Sequence, residues 1–86
     1  MRFEGAVIRE QGVTFAVVVV KKHIIDNISE AQKAVRSFAP AFPGLPVILM
    51  GQDNSGRPTY FGRSDIANFL AKVSPTRIPW RRYIFN

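Results

Sequence analysis

The one histidine, His23, stands three residues before Asp26 and six before Ser29. These are the residue types of a general base, an orienting carboxylate and a nucleophile. No Gly-x-Ser-x-Gly turn accompanies any serine, so nothing presents a hydroxyl as a nucleophile. The same stretch reads more simply as a strand end followed by a helix start. Asn27 with Glu30, or Ser29 with Gln32, has the spacing of a capping box, in which two unpaired helical N–H groups are satisfied reciprocally. No catalytic residue is assigned.

Asp53-Asn54-Ser55-Gly56 offers oxygen atoms to a hard cation, yet Asp53 is the only carboxylate between Glu30 and Asp65. A calcium loop needs several such ligands and a distal bidentate glutamate, so a turn is expected. Glu4, Glu10, Asp26, Glu30, Asp53 and Asp65 show no pairing suited to glycosidase chemistry. With no cysteine and one histidine, disulfides, thiol nucleophiles and zinc sites of Cys or several His are excluded. No metal or cofactor is expected. Gly51, Gly56 and Gly62 flank a loop holding Arg57 and leading to Arg63. A helix start beside arginines attracts anions, but the phosphate-loop and dinucleotide-loop spacings are absent, and turn geometry accounts for the glycines.

Charge is distributed unevenly. The 86 residues carry a formal +6. Residues 1–56 contribute only +1. Residues 57–86 contribute +5, from Arg57, Arg63, Lys72, Arg77, Arg81 and Arg82 against Asp65. Trp80 and Tyr83 lie among these arginines. Guanidinium groups fork onto phosphates, and aromatic rings stack on unpaired bases, so this third is the candidate anion or nucleic-acid surface. No RRM, KH, zinc-finger or helix-turn-helix pattern accompanies it.

The elements that must position these groups are legible. Phe3–Arg9 and Val13–Val20 read as strands, the second from its β-branched density. With Gln11 and Gly12 as the loop, Ile8 faces Phe15 and Ala6 faces Val17. Ile28, Ala31, Val35 and Phe38 recur at helical spacing, and Pro40 ends that helix near Ala39. Val47–Met50 is an apolar strand, and Thr59–Phe61 is a short one. Ser64 or Asp65 is placed to cap a second helix carrying Ile66, Phe69, Leu70 and Val73, which Ser74-Pro75 ends. The expected fold is α+β, order ββαββα. It has a four-stranded, mainly antiparallel sheet, two helices, and a C-terminal fifth strand or docked arm. One domain, 1–86, is expected: a hairpin and helix over 3–39, a second over 46–74 with little identity to the first, and a basic aromatic tail over 75–86.

Leu45-Pro46-Val47-Ile48-Leu49, followed by Tyr60-Phe61-Gly62 and a helix ending Phe69-Leu70, resembles the strand–strand–helix half of thioredoxin-like proteins. The redox Cys-x-x-Cys is absent and a hairpin replaces the initial half, so the resemblance carries no oxidoreductase role.

Successive strand side chains point to opposite faces. Both the Phe15-Val17-Val19 set and the Ala16-Val18-Val20 set are apolar, so both need cover. Two helices after consecutive hairpins tend to share one face. The other must then be covered by the tail, by one of the helices, or by a second copy, with Val18 and Val20 as the self-association face. A non-enzymatic, self-associating module that binds a protein or small ligand is the expected function. Nucleic-acid binding through the arginine-rich third is the alternative. The start of the chain is charged where a secretory signal needs about 7–15 apolar residues. The run Val13–Val20 is far below the roughly 20 residues a membrane helix requires. No membrane partner and a cytoplasmic location are expected.

Overall fold

A computed structural model describes residues 1–10 and 12–85. The strands are β1 (Arg2–Glu10), β2 (Val13–Val19), β3 (Val47–Gln52), β4 (Pro58–Phe61) and β5 (Arg81–Ile84). The helices are α1 (Lys22–Ile25), α2 (Ile28–Phe38) and α3 (Ser64–Leu70), with 3₁₀ turns at Ala39–Ala41 and Pro75–Arg77. The five strands form one sheet in the order β4-β3-β2-β1-β5. All neighbours are antiparallel except β2 and β3, which run parallel. The basic tail thus supplies a fifth strand, and the sheet passes through both hairpin units. The parallel pair follows from the connection, since α1 and α2 carry the chain back to the end where β2 began.

The first hairpin has the expected register, with Ile8 opposite Phe15 and Ala6 opposite Val17. Gly12 holds φ +78, a left-handed turn conformation that glycine adopts without strain. Gln11, its expected loop partner, lies outside the described residues.

Of the expected ways to cover both faces of β2, the chain uses its helices, one group on each side. The helices do not share a face: α1 and α2 cover one side of the sheet and α3 the other. Ala16, Val18, Val47 and Leu49 are buried with Ile25 and Ala31 on the first side. Phe15, Val17, Ile48 and Met50 are buried with Ile66 and Leu70 on the second. Val18 has no exposed surface, and Val20 is half-buried against the α1–α2 cluster. These two valines therefore form no self-association face, because the chain's own first helical layer lies over them. Burying each such side chain stabilises by about 1.5–3 kcal/mol.

Helix α2 begins at Asn27, whose Oδ1 accepts the Glu30 N–H at 3.1 Å. Ile28 falls outside its buried stripe, at 68% exposure, and the inward face starts at Ala31. Helix α1 was not evident in the sequence. It reaches the sheet where Gly51 gives it room, since a Cβ there would stand 2.9 Å from the Cα of Lys22. Helix α3 is shorter than its apolar spacing implied, ending at Leu70, though Val73 still packs on the same cluster. Neither Ser64 nor Asp65 caps it; Arg63 stands at the N-cap and Asp65 grips the Arg63 guanidinium instead.

Phe3 joins β5 to the first layer. Its ring stacks on Tyr83 with centroids 5.3 Å apart and meets Phe38 and Phe42 edge-on. Among the described residues no helix is long and apolar enough to cross a membrane.

Candidate functional site

The residues of the types that do chemistry are not assembled. The Asp26 carboxylate is held by Lys22 Nζ at 2.9 Å, while His23 and Ser29 are exposed on separate helices. The Asp53 carboxylate closes its own turn. Its Oδ1 accepts the Ser55 N–H at 2.9 Å, the Ser55 hydroxyl at 2.7 Å and the Arg57 N–H at 2.9 Å. The Ser55 hydroxyl, then the Arg57 backbone amide, hold its pKa down at about 2. Among the described residues no group of three or more acids and histidines converges as a metal site would. The Tyr60 hydroxyl is buried without a hydrogen-bond partner, and burial raises its pKa. Tyr60 packs beside the α3 layer.

The arginine-rich third does not form one surface. Arg57 and Arg63 lie at the β4 side, each ion-paired, to Asp53 at 3.4 Å and Asp65 at 2.7 Å. The Arg63 side-chain hydrogen bonds set the Asp65 pKa down at about 2. Arg81 and Arg82 lie on β5 at the opposite edge, four strand spacings or roughly 19 Å away. Lys72 is exposed just beyond α3. The two aromatic side chains are committed to packing. Tyr83 is stacked on Phe3 and meets Phe42 edge-on at 5.2 Å. The Trp80 ring lies half-buried in the α3-side cluster, and its indole N–H donates to the Pro75 carbonyl at 2.9 Å. Both rings are thereby partly committed to the chain's own packing, which weakens the case for base stacking.

What the fold does leave open is half of an edge. Strand β1 is nine residues long, but β5 pairs only with Arg2–Gly5. The reason is in the chain. The pairs run Arg2 with Ile84 through Gly5 with Arg81, so the next hydrogen-bonded pair would set Pro79 opposite Val7. Proline has no N–H to give that ladder. The chain instead turns away, with the Trp80 N–H donating to the Ile78 carbonyl at 2.8 Å and Ile78 buried in the α3-side cluster. The outer edge of β1 from Ala6 to Glu10 is left without a strand.

Backbone directions on that edge follow from the ladder. The Ala16 N–H donates to Pro46 on the β3 side at 2.9 Å. Val7, its partner across the hairpin, therefore turns its own N–H and C=O away from β2, and by strand alternation so does Arg9. Beside these groups lies a groove of about 440 Å³. Its walls are Ile8 from β1, Phe69, Leu70 and Val73 from α3 and the residues after it, and Ile78 with Pro79 from the peeled-away chain. Arg9 and Arg77 stand at its margin, with Glu10 as the one acid lining it. Val7 is 43% exposed, an apolar side chain on the open strand.

A second cleft, of about 550 Å³, lies between α2 and the start of α3 and places Arg36 and Arg63 around Val35, Val47 and Phe61. Its pull on an anion is weakened because Asp65 already neutralises Arg63.

Sequence reasoning placed the site residues in the tail and missed Val7 and Arg9. The signal was present: Pro79 stands just before the last strand, where it interrupts any ladder that would run on past Gly5. No known protein family, characterised protein or solved structure matches the chain.

Proposed function

We propose that this protein is a non-catalytic binding module that captures an extended segment of a partner protein by strand addition along Ala6–Glu10. The observation that carries this reading is the register of β5, which stops at Gly5 and leaves the outward N–H and C=O groups of Val7 and Arg9 without a backbone partner among the described residues, beside an apolar groove. In strand addition the main-chain hydrogen bonds supply affinity, and pockets for alternate side chains supply selectivity. The other sheet edge lacks this character. Strand β4 has four residues and begins with Pro58, two devices that blunt an edge. The scattered carboxylates and the lone exposed His23 favour binding over catalysis. A chain without cysteine has no disulfide that needs an oxidising compartment, and the cytoplasm is its proposed location.

Self-association loses its original support, since Val18 and Val20 are covered from within the chain. Nucleic-acid binding is the weaker reading because Trp80 and Tyr83 are half-buried in the chain's own packing and the arginines divide between two edges.

The test is Val7→Pro, measured by titrating labelled extended peptides into wild type and variant while light scattering reports the mass. Proline at 7 removes an outward N–H and leaves the β1–β2 ladder intact, so the thermal midpoint changes little. Peptide affinity falls at least tenfold, a loss of about 1.4 kcal/mol. Equal affinity of variant and wild type contradicts the reading, and so does a wild-type dimer whose interface is abolished by the same substitution.

A further inference from the structure

Resting on that reading, we infer that the segment captured is acidic and alternates apolar with acidic side chains, the apolar ones entering the groove and the acidic ones meeting Arg9 and Arg81 on the other face. A strand continuing the line of β5 runs antiparallel to β1. Side chains of β1 alternate between faces. Ala6 and Ile8 belong to the α3 side, whereas Val7 pairs with Ala16 and belongs to the α1–α2 side. Guest residues opposite Ile8 and Glu10 therefore point toward the groove formed by Phe69, Leu70, Val73 and Ile78. That wall is aliphatic and aromatic, so these guest positions are apolar.

Guest residues opposite Val7 and Arg9 point to the other face. The one opposite Arg9 is its direct cross-strand neighbour, with Cβ atoms about 5 Å apart. The one opposite Val7 lies diagonal to Arg9 and two positions along from Arg81, which shares that face through its pairing with Gly5. Neither Arg9 nor Arg81 has an ion-pair partner among the described residues, whereas Arg57 and Arg63 do. Arg77 adds a third cation at the groove margin against Glu10 alone. Opposite charges placed across a strand pair stabilise it and like charges oppose it. A second copy of this chain, itself at +6, brings its own Arg9 to the same edge and is disfavoured as the occupant. An oligonucleotide meets the charge but neither the backbone ladder nor the apolar groove.

The test uses four fluorescein-labelled probes: an eight-residue peptide of alternating Val and Glu, the same with Ser for Glu, the same Val and Glu rearranged into two blocks, and a single-stranded oligonucleotide of matched charge. Fluorescence anisotropy is read on wild type, Arg9→Gln and Arg9→Gln/Arg81→Gln, at low and high salt. Expected is tightest binding of the alternating acidic peptide, at least tenfold above the neutral and the block peptides. That preference weakens with salt and shrinks at least fivefold in the double variant, while neutral-peptide affinity moves less than about threefold. Equal binding of acidic and neutral peptides overturns the acidic specificity and leaves strand addition standing. Equal binding of alternating and block peptides overturns the side-chain assignment. Binding of no peptide overturns strand addition itself, and tight binding of the oligonucleotide alone replaces both with the nucleic-acid reading.

Discussion

Asp53 and Asp65 show how single residues in this protein are used for closure. Each carboxylate is held at a pKa of about 2 by donors within four residues, the Ser55 hydroxyl for Asp53 and the Arg63 guanidinium for Asp65. A depressed carboxylate pKa means that the folded state prefers the ionised form. The resulting stability is complete above the unfolded value of about 3.9 and is lost as pH falls through about 2. Thermal midpoints recorded across pH are thus expected to stay level from 7 to about 5 and to decline between about 4 and 2. Asp53→Asn lowers the neutral-pH midpoint and flattens the acid limb. Because both groups are exposed, the effect is modest. Arg9 and Arg81 differ from these pairs in having no such partner among the described residues, which is why the proposal gives them to a guest.

At the scale of elements, the deciding features are close approaches and prolines. Helix α1 meets β3 at Gly51, where an added Cβ would stand 2.9 Å from both the Lys22 Cα and the Ile25 Cδ1. Gly51→Val must push the helix backbone off the sheet, at a cost of about 1–3 kcal/mol. In a domain this size that lowers the thermal midpoint by roughly 5–20 °C, a change that a calorimetric scan resolves. Pro79 acts on the other side by ending the reach of β5. Much of this was legible in the sequence. The valine density of Val13–Val20 and the Gly12 turn settle the first hairpin, and Asn27 with Pro40 bound α2. What could not be read is the side each helix takes, because amphipathic spacing tells which face of a helix is buried and not against which face of a sheet. The short α1 escaped because four residues show no periodicity. The tail arginines drew attention through composition, while Arg9, in the less charged part of the chain, became significant only through a register that ends beside it.

For the whole molecule, two helical layers from one chain enclose both faces of the sheet, so neither face is left for a partner. Val18 is spent in the core, and Val20, Tyr83 and Trp80 pack half-buried against it. On the proposed reading, interaction uses a sheet edge. One edge is short and starts with proline; the other is half-covered by β5 and open from Ala6 to Glu10, bordered by an apolar groove and unpaired arginines. The central claim is that this half-edge is a free strand template. Residue-resolved amide hydrogen exchange, on the dilute protein and on its complex with the alternating Val–Glu peptide, measures it. The account predicts that the Val7 and Arg9 amides exchange rapidly in the free protein, that Ala6 and Ile8 are protected by β2, and that peptide protects Val7 and Arg9 as well. Val7 and Arg9 amides already as protected as Ala6 and Ile8 in the free protein, or still unprotected in the saturated complex, would contradict it.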